Sequence, residues 1–122
     1  MPALDHVGIY VRDLERSLDF YRGVFGFPEH HRMRVGESKI AFLDIGGGLL
    51  ELIQRPGAPG EVPRGSWSHV AIEVEDYGAM ESRLEGMGLE LRKKTLDDGT
   101  RLVFCKDPDG HDVEIMEKGQ HQ

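Results

Sequence analysis

The chain has 122 residues, of which 39% are hydrophobic, so it is long enough for one domain with a core of its own. Its formal net charge is −7 and its basic residues are scattered, which argues against nucleic acid as a partner. It contains no run of about 18 apolar residues, and it does not start with a basic region followed by an apolar one. We therefore expect no membrane partner and a cytoplasmic location.

The first half of the chain predicts a strand, a helix and three further strands. Residues 6–11 alternate in character, which places His6 on the strand face opposite Ile9. Asp13 is a suitable N-cap for a helix that Gly26 ends. The apolar stripe of this helix comprises Leu14, Leu18, Tyr21 and Phe25. The three strands that follow are predicted at about residues 31–35, 39–44 and 49–54.

The second half repeats the first at an offset of 63 residues, and such a repeat sets the architecture. The offset superimposes His69-Val-Ala-Ile-Glu-Val74 on His6-Val-Gly-Ile-Tyr-Val11, and Glu114 on Glu51. Asp76 is the expected cap of the second helix. Its apolar stripe comprises Tyr77, Met80, Leu84 and Met87, and strands are predicted at about residues 90–94, 101–106 and 112–117.

Residues 55–66 contain prolines and glycines that neither a helix nor a central strand accepts, so we interpret them as a linker. The predicted organisation is one α+β domain, residues 1–122, made of two βαβββ modules at residues 4–54 and 67–117. One helix covers one face of each module's sheet. The other face therefore needs a partner or a ligand.

The uncovered face of each module carries one histidine and one glutamate. These four residues are His6, Glu51, His69 and Glu114. Imidazole nitrogen and carboxylate oxygen suit divalent nickel, cobalt, zinc, manganese and iron, and two of each leave coordination positions open. Two carboxylates buried without a cation would be costly. If the modules pair, the sequence predicts a site for one divalent transition ion, with Gly8 and Ala71 leaving room beside it.

Other residues that could do chemistry are interpreted as structural or solvated. His30 and His31 are adjacent on a predicted strand and should point to opposite faces, which argues against a chelating pair. His111 follows a turn and should be solvated. Cys105 lies in an apolar run and should be a small core residue. No phosphate-binding glycine loop or nucleophile elbow is present.

Five segments carry a resemblance to a known family, and together they extend over nearly the whole chain. The five segments are residues 6–21, 26–27, 49–52, 68–74 and 106–115. The first begins His6-Val-Gly-Ile-Tyr-Val11, the second is Gly26-Phe27, the third is Leu49-Leu-Glu-Leu52, and the last begins Lys106-Asp-Pro-Asp-Gly110. With them the sequence resembles the vicinal oxygen chelate superfamily, which includes glyoxalase I, fosfomycin-modifying proteins, methylmalonyl-CoA epimerase, extradiol dioxygenases and bleomycin-binding proteins.

The resemblance implies a glyoxalase-like fold, in which paired βαβββ modules form a curved mixed sheet around a metal-binding cleft. It implies the same four ligands, and the complete set of two histidines and two glutamates is most similar to that of glyoxalase I. Tyr10 and Arg55 occupy the positions of the family's arginine and asparagine contacts with glutathione, and they are the implied substrate-binding residues. Whether glutathione or another thiol is used stays open.

The expected function is therefore isomerase or lyase chemistry on a small oxygenated substrate, similar to that of lactoylglutathione lyase. A divalent ion that binds two adjacent oxygens would acidify the carbon-bound proton and stabilise the enediolate, with Glu51 or Glu114 as the base. Two alternatives stay open: a fosfomycin-type thiol transferase or antibiotic-resistance protein, and a small-molecule binding protein without catalysis. A ring-cleaving dioxygenase fits less well, because those enzymes typically have two histidines, one glutamate and a longer chain.

The resemblance also implies a homodimer with sites shared across chains. In that arrangement each ion takes His6 and Glu51 from one chain, and His69 and Glu114 from the other. Pairing of the two modules within one chain is the alternative, because the linker could span either route.

Overall fold

The computed structural model describes residues 4–57 and 69–117, and the chain divides into two compact units, Met1–Glu61 and Val62–Gln122. Each unit contains a strand, a helix and three more strands. In the first unit these are β1 (His6–Tyr10), α1 (Leu14–Phe25), β2 (Glu29–Val35), β3 (Ser38–Asp44) and β4 (Leu49–Gln54). In the second unit they are β5 (His69–Val74), α2 (Tyr77–Gly86), β6 (Arg92–Thr95), β7 (Arg101–Lys106) and β8 (Asp112–Glu117). The predicted fold of two βαβββ modules is confirmed.

The described strands of each unit form a four-stranded mixed sheet, and the strand order is the same in both units. The orders are β1-β4-β3-β2 and β5-β8-β7-β6. The first strand of each unit pairs parallel with the last strand. The two strands run in the same direction because the helix is a crossover connection, after which the chain reverses twice. The remaining pairs are antiparallel. This topology places the histidine-bearing strand directly beside the glutamate-bearing strand in each unit.

Helix α1 begins and ends at the residues that its sequence predicts. The Asp13 carboxylate accepts a hydrogen bond from the backbone N–H of Arg16 at 3.2 Å, and Gly26 ends the helix with a φ of 73°. Leu18 and Tyr21 are buried against the sheet, as predicted, whereas Phe25, the last residue of the stripe, is half-buried.

Helix α2 is shorter than predicted. Asp76 caps it by accepting from the backbone N–H of Ala79 at 3.0 Å, and Tyr77 and Leu84 are buried. The placement of Met87 in the apolar stripe was wrong, because the helix ends at Gly86 and the Met87 side chain is 47% exposed. Neither helix in the described ranges is long and apolar enough to cross a membrane.

Strand β2 contains a bulge that the sequence did not predict. The strand begins at Glu29, which pairs with Leu43, and His31 pairs with the next residue back, Phe42. His30 therefore has no residue directly opposite it. The prediction that His30 and His31 point to opposite faces was wrong, since their Nδ1 atoms lie 2.7 Å apart. The bulge interrupts the alternation on which that prediction depended.

Cys105 lies in the core, as predicted, with 1% of its surface exposed. Burial, assisted by the nearby carboxylates of Asp107 and Asp112, raises the pKa of the Cys105 thiol to about 11. A thiol with that pKa stays protonated near neutral pH, so Cys105 is not suited to act as a nucleophile.

Candidate metal centre

The first unit brings His6 and Glu51 together. Glu51 pairs across the strands with Gly8, which lies two residues after His6 and therefore on the same face of the sheet. The His6 Nε2 and Glu51 Oε1 atoms are 3.4 Å apart. The histidine side chain is 41% exposed and the glutamate side chain 16%, so the pair has an open side from which a ligand could approach.

The His6 ring is held on two further sides. Its Nδ1 atom lies 2.7 Å from Oδ2 of Asp5, and its edge faces the Phe42 ring at 5.6 Å between centroids. The hydrogen bond with Asp5 raises the pKa of His6, and the carboxylate of Glu51 acts in the same direction. A carboxylate on Nδ1 leaves the Nε2 lone pair for another partner. Nε2 is the nitrogen that faces Glu51.

Gly8 provides space for the Glu51 carboxylate. A Cβ atom placed on Gly8 would lie 2.8 Å from Glu51 Oε1, which is closer than ordinary van der Waals contact. A larger residue would therefore push the carboxylate away from His6. The equivalent position in the second unit is Ala71, which pairs with Glu114, so both units keep a small side chain beside the glutamate.

The second unit repeats this geometry with His69 and Glu114. The His69 Nε2 and Glu114 Oε1 atoms are 2.8 Å apart, and the His69 ring meets the edge of Phe104 at 5.4 Å between centroids. Glu114 is 8% exposed although it lies on the sheet face away from helix α2. The structure thus brings the four predicted ligands together as two pairs, one in each unit.

The glutamate of each pair belongs to a row of four directly paired residues that crosses its sheet. The first row is Gly8, Glu51, Phe42 and His31. The second row is Ala71, Glu114, Phe104 and Arg92. Paired residues on neighbouring strands share a face, so a phenylalanine lies next to each glutamate, and a basic or imidazole side chain lies beyond it.

The predicted substrate contacts Tyr10 and Arg55 also lie together. The Arg55 guanidinium carbon stands 4.0 Å from the centroid of the Tyr10 ring, and its Nη1 approaches the tyrosine hydroxyl at 3.4 Å. Tyr10 is on the same face of β1 as His6. A cation stacked on an exposed ring, on the sheet face that carries His6 and Glu51, is suited to bind an anionic substrate group.

The turn after β7 holds another group of possible ligands. The prediction that His111 is solvated was wrong, because the residue is 6% exposed and its Nδ1 lies 2.9 Å from Oδ2 of Asp107. Ligand atoms of Asp107, Asp109 and His111 all lie within 4.8 Å of one another. Asp107 Oδ1 accepts the backbone N–H groups of both Asp109 and His111 at 2.9 Å, so this carboxylate already organises the turn.

Comparison with known proteins agrees with this fold. The model of the Glyoxalase/Bleomycin resistance protein/Dioxygenase superfamily matches residues 3–115. The chain belongs to this superfamily. A crystal structure of SMU.1112c, a neighbour within the same fold, superimposes with a TM-score of 0.83 at 25% identity and covers 96% of this chain and 99% of that chain.

Curated relatives of this glyoxalase superfamily member carry different functional names. The protein YwbC of Bacillus subtilis, whose function is uncharacterised, is 32% identical over 94% of this chain and 97% of its own. A probable lactoylglutathione lyase of Vibrio cholerae is 30% identical, with 94% and 90% covered. The glutathione transferase FosA of Serratia marcescens is also 30% identical, with 94% and 80% covered. The superfamily is thus shown, and these names leave the individual reaction open.

Several residues around the two pairs were not singled out from the sequence. Asp5 directly precedes His6, and an acidic residue beside a candidate ligand was a usable signal. Phe42, Phe104 and Arg92 could be found only from the pairing of strands that are separate in the sequence. Whether these three side chains lie beside a histidine and glutamate pair depends on the register between the strands of each sheet.

Proposed function

We propose that this protein is a divalent-metal-dependent isomerase or lyase that acts on a small substrate with two adjacent oxygens, in the manner of lactoylglutathione lyase. The observation that carries the proposal is the pair of a histidine Nε2 and a glutamate Oε1 at equivalent positions of both units, at 3.4 Å and 2.8 Å. A structural role for one such pair would be unremarkable. Two equivalent pairs supply a complete set of ligands.

The proposed ligands are the four residues His6, Glu51, His69 and Glu114. Two nitrogens and two oxygens suit nickel, cobalt, zinc, manganese or iron, and the largely buried glutamates are the kind of carboxylates that a cation stabilises. Such an ion would act as a Lewis acid toward the substrate oxygens and acidify the proton on the neighbouring carbon.

In this mechanism the histidines would hold the ion, and one glutamate would move the proton. A carboxylate oxygen of Glu51 or Glu114 removes the proton from the carbon and returns it to the adjacent one. With 16% and 11% of their side chains exposed, both are shielded from most of the solvent, which limits exchange of that proton with water. Tyr10 and Arg55 hold the part of the substrate that does not react.

The second candidate is a thiol transferase that acts on a small antibiotic, which the similarity to FosA favours. It would use the same ligands but would not need either glutamate as a base. The two functions therefore differ in which substrate turns over and in whether a carbon-bound proton is exchanged.

Metal analysis followed by a substrate panel tests the proposal. Purified protein is expected to bind about one divalent transition ion per site, as determined by elemental analysis of dialysed samples. The ion-loaded protein is then assayed with hemithioacetals, with acyl-CoA epimers, and with fosfomycin plus a thiol. Turnover of the first or second class supports the isomerase or lyase, turnover of fosfomycin alone supports the transferase, and absence of bound metal contradicts both.

Asp5 is expected to act on the metal site through His6. Replacing Asp5 with asparagine removes the charge that orients the imidazole, and the metal affinity should fall by roughly 10- to 100-fold, as measured by competition with a chromogenic chelator. Asp19→Asn makes the same chemical change on an exposed position of helix α1 and should leave the affinity unchanged. Equal metal affinities in the two variants would show that Asp5 does not contribute to metal binding.

We also propose that the modules at residues 4–54 and 67–117 act as one domain and that the protein forms a homodimer whose sites are shared across chains. Co-refolding His6→Ala protein with His69→Ala protein tests this arrangement. Shared sites would give heterodimers with one intact site and one doubly damaged site, so part of the metal binding and activity should return. If each chain builds its own site, every site stays damaged and nothing returns.

A further inference from the structure

Strand β6 carries three consecutive basic residues that divide between the two faces of its sheet. Lys93 lies on the helix side, where its Nζ is 3.1 Å from Glu85 and 3.7 Å from Glu81 of helix α2. Arg92 and Lys94 alternate with it and so lie on the opposite face. That face is the one that carries Glu114.

Arg92 lies two strands from Glu114 in the same cross-strand row. It pairs with Phe104, which pairs in turn with Glu114. The guanidinium carbon stands 5.0 Å from the centroid of the Phe104 ring, and Nη2 donates to Oδ1 of Asp112 at 2.9 Å. The side chain is 59% exposed, so the guanidinium is held in place while several of its N–H groups remain accessible.

On this face the strands at the edge of the sheet carry the cations Arg92, Lys94 and Lys106 and the carboxylate of Asp112, and Asp97 and Asp98 of the following turn lie beside Lys94. Asp112 accepts from both Arg92 and Lys106, at 2.9 Å and 2.8 Å, so one carboxylate serves two cations. Lys94 forms no ion pair within residues 4–57 and 69–117. The carboxylate of Glu73 lies at the far end of the row that contains Lys94, with two strands between them.

The equivalent positions on that face of the first unit carry neither a lysine nor an arginine. His31 stacks on Phe42 at 4.4 Å and 13°, and the next residue of β2 on that face, Met33, pairs with Ile40. Arg92 and Lys94 therefore do not belong to the part of the architecture that the two units share.

We propose that Arg92, assisted by Lys94, binds a carboxylate on the substrate at the end remote from its two adjacent oxygens. The inference rests on the proposed function, because it takes Glu114 as part of the metal site. Two strand spacings of about 4.8 Å separate the backbone of Arg92 from that of Glu114, and the long arginine side chain shortens this distance. The substrate is then a short molecule with vicinal oxygens at one end and a carboxylate at the other, which the planar guanidinium binds through paired hydrogen bonds.

Two hydroxamates provide the test, because a hydroxamate presents two adjacent oxygens. Acetohydroxamate has a neutral body, and succinic monohydroxamate carries a carboxylate. Calorimetric titration of metal-loaded wild-type protein should give affinity about tenfold higher for the carboxylate probe, and Arg92→Gln should abolish this difference while leaving the affinity for acetohydroxamate unchanged. Arg92→Lys should retain part of it.

Lys93→Gln is the matched control, since it removes one positive charge from the adjacent residue on the other face. It should keep the tenfold preference, with metal content and circular dichroism checked for every variant. Equal binding of both probes to wild-type protein, or an equal loss in Lys93→Gln and Arg92→Gln, would overturn the inference and leave the proposed function standing. If neither hydroxamate binds, the vicinal-oxygen site itself is contradicted, and the inference fails with it.

Discussion

Replacing His6 or His69 with alanine is expected to lower the affinity for a divalent ion by more than about a hundredfold. Each change removes one nitrogen of an open site with two nitrogens and two oxygens, and loss of a direct ligand should exceed the 10- to 100-fold effect of losing an orienting partner. Titration of metal-free protein with zinc or nickel against a competing chelator measures the loss. Both side chains are about one-third or more exposed, so the fold should persist.

His30→Ala is the control for this prediction, because it removes an exposed imidazole of the first unit that is not a proposed ligand. Circular dichroism and thermal unfolding of the metal-free proteins should be similar for all three variants. If the affinities of His6→Ala and His69→Ala equal that of wild-type protein, the ion is held elsewhere, and the turn formed by Asp107, Asp109 and His111 becomes the next site to test.

The order of elements could be predicted because its determinants are local. An aspartate before each helix, a glycine at the end of the first helix and alternation in the strands act over a few residues, and Asp13, Gly26 and Asp76 function as expected. Two predictions were wrong for non-local reasons: the orientation of His30 and His31, and the burial of Met87. The bulge at His30 arises from the way β2 pairs with β3, and the exposure of Met87 follows from where helix α2 stops packing on its sheet.

The two histidine and glutamate pairs could be predicted in part. Alternation gave the face of each residue, and a βαβββ order makes the first and last strands run in the same direction. That these two strands are neighbours is seen only in the structure. The surroundings required the register between strands, which no local pattern encodes. Phe104 meets His69 because of the registers of β7 with β8 and of β8 with β5. Arg92 lies over Phe104 because β6 and β7 pair at these two residues.

His111 shows a different limit of the sequence pattern. A turn of Asp-Pro-Asp-Gly correctly predicts a reversal of the chain, but it does not say whether the next side chain folds outward. Here the Asp107 carboxylate accepts two backbone N–H groups and lies against the His111 ring. These contacts turn the imidazole inward.

Replacing Glu51 or Glu114 with glutamine should separate metal binding from proton transfer. Glutamine has nearly the shape of glutamate and keeps a carbonyl oxygen for the ion, but it cannot accept a proton from carbon. For the glutamate that acts as the base, kcat should fall by roughly 10²- to 10⁴-fold, with a much smaller loss of metal affinity. Proton exchange at the substrate carbon, followed by nuclear magnetic resonance in deuterated water, reports the step directly.

The comparison of the two glutamine variants also assigns the roles. The glutamate whose replacement abolishes exchange is the base, and the other is a ligand whose replacement mainly weakens metal binding. Glu90→Gln, which removes an exposed carboxylate outside the described strands and helices, should retain wild-type turnover. Full exchange in both Glu51→Gln and Glu114→Gln would show that neither carboxylate removes the proton. Another group would then be the base, because the carbon-bound proton would still be exchanged. The FosA-like alternative is favoured instead if wild-type protein exchanges no carbon-bound proton and turns over fosfomycin, because thiol transfer needs the ion and the substrate contacts but no base at carbon.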